Sequence, residues 1–235
     1  MTDNQLTRLC GLLYLLLIIS GVFGLMVIPS QLVDWQNPAA TVANIQQQEG
    51  LFRLGLGLGL VCYTLFLLLG LALCHLFRDV ASWLTRALLA FVLVGTVIGF
   101  LTMVSNMNVL VMLSGESYLQ SMPAAVLEAQ VMAQLASVGA IYKMGNIFWG
   151  LWLLPFGLLI LRSRLLPGFL GVLLVLACCD YLLQFVMKVV LDVTDIPSFL
   201  SLPSMVGEFG VCLWMLLAGT WGAQRRQAPA LTGEL

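Results

Sequence analysis

Six apolar runs, each long enough to cross a lipid bilayer, make up most of this sequence. A helix needs about 20 predominantly apolar residues to cross the hydrocarbon core. Of the 235 residues, 61% are hydrophobic and 9% are charged, whereas soluble domains carry about 25% charged residues. Lipid must therefore be the solvent for most side chains, which predicts an all-α, polytopic transmembrane helix bundle. The six spans are Leu9–Ile28, Leu51–Phe77, Trp83–Leu113, Ser137–Leu161, Leu165–Val190 and Met205–Ala223.

The basic residues predict how the chain is oriented in the membrane. One side carries the short connections and most of the arginines, namely Arg8, Arg78, Arg86, Arg162, Arg164, Arg225 and Arg226. The other side carries the long connections and is mainly acidic, with Asp34, Glu49, Glu116, Glu128, Asp192 and Asp195 beside Arg53, Lys143 and Lys188. Because positive charge accumulates on the cytoplasmic side, both termini are predicted to be cytoplasmic. Residues 1–223 form one predicted six-helix transmembrane domain, and residues 224–235 form a short cytoplasmic tail.

Two of the long connections are predicted to contain short outer interfacial helices. The first begins at Asn37-Pro38, an N-cap residue followed by proline in the first turn, and is predicted to end at Gly50. The second begins at Ser121-Met122-Pro123, after which apolar residues recur at helical spacing. The third long connection, around Pro197 and Pro203, is predicted to be a loop.

Glycine pairs and one proline bear on how the spans pack. Gly55 and Gly59 in span two form a G-x-x-x-G motif, and Gly95 and Gly99 repeat it in span three. Small residues at this spacing let helix backbones approach closely. Since both motifs have candidate partners within the chain, we favour internal packing over dimerisation. Pro155 is the candidate break in span four.

Asp180 is the residue that most suggests a function. It lies fourteen residues after Leu166, about 21 Å along a helix, within an apolar core about 30 Å thick. A carboxylate at such depth costs about 3 kcal/mol to insert, so it must be solvated, paired or used. Gln184 and Lys188 follow on the same helix face at i+4 and i+8.

Further polar residues are predicted to lie at a similar level in other spans. With Asp180 they define a candidate ligand-binding set: Arg53, Asn106, Lys143, Asn146, Asp180, Gln184, Lys188 and Glu208. In a functional interpretation these residues form an outward-facing pocket, whose cations hold a ligand head while apolar helix walls hold a tail. In a structural interpretation the cations extend singly to the interface and Asp180 pairs with one of them.

Several chemistries are excluded or disfavoured by composition. His75 is the only histidine, which rules out a three-histidine zinc site and bis-histidine haem ligation. The six cysteines are scattered through apolar runs without a C-x-x-C pair, as expected of packing residues. We therefore predict no metal and no cofactor. The chain has no basic patch, so a nucleic-acid partner is disfavoured. An enzyme using Asp180 and Glu208 as a carboxylate pair is disfavoured because no catalytic motif accompanies them.

Several stretches resemble a bacterial family described as domain of unknown function 4386. They are residues 37–45, beginning Asn37-Pro38-Ala39-Ala40, then Leu51-Phe52-Arg53-Leu54-Gly55, Phe148-Trp149-Gly150-Leu151, Leu161-Arg162-Ser163, residues 165–174 around Pro167-Gly168-Phe169, and Asp180-Tyr181-Leu182. The resemblance covers most of the chain, from span one to span six. It implies a six-helix protein of the bacterial cytoplasmic (inner) membrane, and it implies no particular reaction.

Two hypotheses of function remain open. In the first, the chain is a non-enzymatic membrane module that binds a lipid, a small amphiphile or a partner membrane protein through the outer-half polar pocket. In the alternative, it is a small ion- or proton-coupled transporter that uses Asp180. Replacing Asp180 with asparagine discriminates between them, because it should abolish coupled flux but leave the binding of a neutral amphiphile largely intact.

Overall fold

The structure, a computed structural model, describes residues 2–119, 121–193 and 202–220. These residues are helical or lie in short connections, and no strand occurs among them. The α-helices are α1 (Asp3–Gly21), α2 (Ile28–Leu32), α3 (Pro38–Gln47), α4 (Glu49–Leu76), α5 (Ser82–Met112), α6 (Ala124–Leu151), α7 (Leu153–Ser163), α8 (Gly168–Phe185) and α9 (Leu202–Leu217). π-Helical segments follow α1 at Val22–Val27 and α8 at Val186–Val190, and a 3-10 turn forms at Ser117–Leu119. The predicted all-α membrane class is confirmed.

Five helical stretches in the described part are long and apolar enough to cross a membrane. They are Asp3–Leu32, Glu49–Leu76, Ser82–Met112, Ala124–Ser163 and Gly168–Val190. The sixth predicted span corresponds to α9, which has 16 residues and is about 24 Å long. It ends at Leu217 rather than Ala223, and Gly219 follows with a φ of 68°. Glycine adopts this left-handed conformation without steric cost, so the chain leaves the helix there.

The chain divides into two compact units. The first unit comprises Met1–Leu15, Leu69–Phe91 and Trp149–Leu235, and the second comprises Leu16–Leu68 and Val92–Phe148. The prediction of a single domain over residues 1–223 stays a prediction. The predicted tail, 224–235, lies outside the described residues.

In the first unit, close backbone contacts position the helices. A Cβ at Gly157 of α7 would lie 2.6 Å from the carbonyl oxygen of Gly171 in α8, so these helices touch through their backbones. A Cβ at Gly11 of α1 would lie 2.7 Å from the Cα of Leu216 in α9. Small residues at these points permit the tight packing that van der Waals contact requires in lipid.

The second unit is built around a core in which α3 and the starts of α4 and α6 take part. Its buried residues are Ile28, Leu32, Ile45, Phe52, Val109, Val131 and Leu135. The glycine motifs of spans two and three pack inside this unit, as predicted: Gly59 faces Met103, and Gly99 faces the ring of Tyr63. The Asn37 side chain caps α3 by accepting a hydrogen bond from the Ala40 amide at 3.0 Å.

Three further predicted boundaries are wrong. The short helix predicted to begin at Ser121-Met122-Pro123 is not separate, because α6 continues from Ala124 to Leu151. Residues 124–136 are mostly good helix formers with no proline among them, so nothing interrupts the helix before span four. The predicted C-terminal Gly50 lies inside α4, since α3 ends at Gln47. Span five begins at Gly168 rather than Leu165, because Pro167 has extended backbone (ψ 132°) and cannot donate a helical hydrogen bond.

The predicted break at Pro155 is confirmed. α6 ends at Leu151 and α7 begins at Leu153. Proline has no N–H to donate to the carbonyl of residue i−4, here Leu151, so the helix is interrupted at that point. Of the predicted loop around Pro197 and Pro203, Pro197 lies outside the described residues. α9 already begins at Leu202, which places a proline in its first turn, where a missing N–H is tolerated.

Candidate functional site

Asp180 is buried inside the first unit. Only 6% of its surface is exposed, although it lies within the apolar stretch Gly168–Val190, twelve residues from its start and ten from its end. The carboxyl group accepts two hydrogen bonds, one on each oxygen. Gln184 Nε2 donates to Oδ1 at 2.9 Å, and Ser204 Oγ donates to Oδ2 at 2.8 Å. Asp180 is therefore turned away from lipid and held by two neutral donors.

Among the described residues, Lys188 is linked to Asp180 through an amide. Its Nζ donates to Gln184 Oε1 at 3.0 Å, and the Gln184 amide nitrogen donates to Asp180. The three residues follow one face of the helix at i, i+4 and i+8, as their spacing predicts. Lys188 itself lies in the π-helical segment Val186–Val190. In the described part of the chain the ion pairs are Arg53–Glu49 and Arg78–Asp79, so Asp180 has no direct cationic partner there.

A second carboxyl group lies on the facing helix. Glu208 of α9 accepts hydrogen bonds from the hydroxyls of Tyr14 and Tyr181, at 2.7 Å and 2.9 Å. Tyr14 belongs to α1 and is 1% exposed. Its ring also packs edge-on against Trp152, with centroids 5.9 Å apart. Glu208 thereby joins three helices of the first unit.

The sequence explains why these side chains meet. Ser204 and Glu208 are one turn apart on α9, and they face Asp180 and Tyr181 on α8. Gly150 permits the close approach of α6 to Tyr181, because a Cβ there would lie 2.5 Å from the tyrosine Cβ. Gly11 brings α1 against α9 one turn before Tyr14. We call Tyr14, Asp180, Tyr181, Gln184, Ser204 and Glu208 the carboxyl network.

The carboxyl network combines two carboxyl groups with hydroxyl and amide donors. Among the described residues no group of three or more His, Cys, Asp or Glu side chains could hold a metal ion. Each carboxyl oxygen accepts one hydrogen bond in the contacts given above and keeps a second lone pair. Each carboxyl group can therefore take up a proton without losing its donors.

The other four residues of the predicted set belong to the second unit. Arg53 is exposed and pairs with Glu49, its Nε 2.6 Å from Oε1. Asn106 of α5 and Asn146 of α6 are half-buried, and Lys143 of α6 is exposed. The structure thus brings together Asp180, Gln184 and Lys188, and places Glu208 on the helix that faces them. That all eight residues share one site stays a prediction.

Three members of the carboxyl network were absent from the predicted set: Tyr14, Tyr181 and Ser204. The signal that could have identified Tyr14 is a tyrosine within the first apolar run, Leu9–Ile28. Ser204 precedes Glu208 by one turn, which places both on one helix face. Whether this face meets Asp180 depends on how α8 and α9 pack against each other. Helical spacing within one helix does not predict that packing.

Comparison with known proteins yields one match. A family model described as "Domain of unknown function (DUF4386)" matches residues 9–219. No curated protein and no solved structure matches the chain.

Proposed function

We propose that the chain, which belongs to the DUF4386 family, is a small transporter in which Asp180 couples solute movement to a proton or a monovalent cation. The family description gives no reaction, so the proposal rests on the carboxyl network. The observation that carries it is the environment of Asp180, which is buried mid-span and bonded only to neutral donors in the contacts given above.

The energetics of Asp180 favour a residue that is used rather than one that only packs. An ionised carboxylate at this depth costs about 3 kcal/mol on insertion scales. Ser204 and Gln184 each donate a hydrogen bond to one of its oxygens, and among the described residues no ion pair includes Asp180. A bound proton or monovalent cation would compensate its charge, and release of that ion would restore the charge. Such a cycle is the elementary step of ion coupling.

The helix geometry next to Asp180 supports the same proposal. α8 changes to π-helix directly after Phe185, between Gln184 and Lys188. π-Helical turns are rare and occur frequently at functional sites. A local change in this turn would alter the Lys188–Gln184 hydrogen bond and, through it, the donor to Asp180.

In this proposal α9 is the sixth span and both termini are cytoplasmic, in the inner membrane of a bacterium. The positive-inside rule supports this orientation, because described arginines flank the helix ends of the first unit. They are Arg8, Arg78, Arg86, Arg162 and Arg164.

Replacing Asp180 with asparagine is expected to abolish ion-driven charge movement. The protein would be reconstituted in liposomes on a solid-supported membrane and exposed to a proton jump, then to a sodium jump. Wild type should give a transient current with at least one of these ions, and Asp180→Asn should give none with either. Asparagine retains an oxygen acceptor for one donor, so the variant should still fold.

Asp79→Asn is the matched control, because the Asp79 side chain is 89% exposed in the turn between α4 and α5. It should give wild-type currents. A transient of wild-type size from Asp180→Asn would overturn the proposal.

A second candidate function is binding of a lipid or small amphiphile without ion coupling. The observation that favours it is the half-buried pair Gln184 and Lys188, which continues the polar face of α8 beyond Asp180. Here the Lys188 ammonium would hold the ligand head. Wild type would then give no transient current. Mass spectrometry of gently purified protein would find an amphiphile that Lys188→Ala loses and Asp180→Asn retains.

A further inference from the structure

Two arginines flank Trp83 at the start of α5 in the first unit, Arg162 by contact with its ring and Arg86 one turn along the helix. The guanidinium carbon of Arg162, in the last turn of α7, lies 5.4 Å from the ring centroid of Trp83. Arg86, one turn after Trp83 on α5, donates from Nε to the Ser82 carbonyl at 3.1 Å and from a terminal nitrogen to Ser82 Oγ at 3.4 Å. We call Ser82, Trp83, Arg86 and Arg162 the arginine surface.

The charges of the arginine surface are not neutralised by the described part of the chain. The ion pairs in the described part of the chain are Arg53–Glu49 and Arg78–Asp79, and neither includes Arg86 or Arg162. Both arginines are exposed, and Trp83 is 56% exposed. The surface therefore offers two accessible positive charges beside an accessible indole.

The position of this surface along the helices indicates its surroundings. Trp83 is the second residue of the candidate span Ser82–Met112, and Arg162 is the last but one of Ala124–Ser163. Tryptophan and arginine at span ends lie at the level of the lipid headgroups. The anions present there at high concentration are the phosphates of acidic lipids.

We propose that the arginine surface binds the headgroup phosphate of an anionic phospholipid. Both guanidinium groups are partly preorganised, Arg162 by its contact with the indole and Arg86 by Ser82. A guanidinium presents parallel N–H donors that match two phosphate oxygens. The amino-terminal end of α5 adds partial positive charge at the same place. Charge complementarity thus selects an acidic headgroup over a zwitterionic one.

Native mass spectrometry of the full chain in mild detergent tests this proposal. Dioleoyl phosphatidylglycerol and dioleoyl phosphatidylcholine would be titrated separately onto wild type, Arg86→Gln, Arg162→Gln and Arg78→Gln. Wild type should bind the anionic lipid more tightly than the zwitterionic lipid. Arg86→Gln and Arg162→Gln should each weaken the anionic lipid by about fivefold. Arg78→Gln, which removes an exposed arginine already paired with Asp79, should leave its affinity unchanged.

Three results would overturn the proposal. They are equal affinity of wild type for the two lipids, a loss of affinity in Arg78→Gln as large as that in Arg162→Gln, and binding of inorganic phosphate alone with the same arginine dependence. The last result would assign the surface to a free anion instead of a lipid. Arg86→Gln leaves the Arg162–Trp83 contact in place. If one of the two variants loses lipid affinity because it misfolds, the other variant still tests the arginine surface.

Discussion

Replacing Glu208 with alanine is expected to lower the free energy of unfolding by about 2–6 kcal/mol. The substitution removes the acceptor of two hydroxyl groups, those of Tyr14 and Tyr181. Each buried donor left without an acceptor costs about 1–3 kcal/mol. Tyr14 is 1% exposed, so water does not replace the lost acceptor there. The measurement is unfolding by SDS in mixed micelles, followed by far-ultraviolet circular dichroism.

Two further variants separate the lost hydrogen bonds from a general effect of the substitution. Glu208→Gln should cost much less, because its amide oxygen accepts from one tyrosine and its amide nitrogen donates to the other. In the Tyr181→Phe background, Glu208→Ala should cost less than in wild type, since one of the two orphaned donors is already gone. Glu116→Ala, at an exposed glutamate, is the matched control. Stability of Glu208→Ala equal to that of Glu116→Ala would contradict the three-helix role of Glu208.

Replacing Gly157 with alanine is expected to destabilise the protein by about 1–3 kcal/mol, the usual cost of overpacking. The new Cβ would lie 2.6 Å from the Gly171 carbonyl oxygen, and that neighbour is backbone, which cannot turn aside. α7 and α8 must then separate along their contact. SDS unfolding in the same mixed micelles measures the loss.

Gly57→Ala in α4 is the control for this substitution, because a Cβ at Gly57 would meet nothing within 4 Å. It should be neutral, or stabilising by up to about 1 kcal/mol through helix propensity. Equal stability of Gly157→Ala and Gly57→Ala would show that the backbone contact between α7 and α8 does not form.

The helical class and most span positions follow from sequence because lipid imposes a simple rule: each span must be apolar and satisfy its own backbone hydrogen bonds. Arginine-bearing turns and Pro155 mark where helices end or break for equally local reasons. The continuation of α6 from Ala124 into span four was not predicted, because amphipathic periodicity there suggests an interfacial helix. The π-helical segments carry no sequence signal comparable to a proline.

The candidate site was only partly predictable, for a related reason. Helical spacing alone placed Asp180, Gln184 and Lys188 on one face, and hydrogen bonds along α8 join them. The donors from other helices, Tyr14 and Ser204, depend on which faces of α1, α8 and α9 meet. Those faces are selected by glycine contacts such as that of Gly11 with Leu216, which act between helices distant in sequence.

Infrared difference spectroscopy can detect whether Asp180 binds and releases an ion inside the membrane domain, as we propose. Wild type, Asp180→Asn and Asp79→Asn would be measured in nanodiscs while protons or sodium ions are added. We predict a change in carboxyl bands that wild type and Asp79→Asn share and that Asp180→Asn lacks. Identical difference spectra from wild type and Asp180→Asn would contradict the claim and leave Asp180 a structural residue.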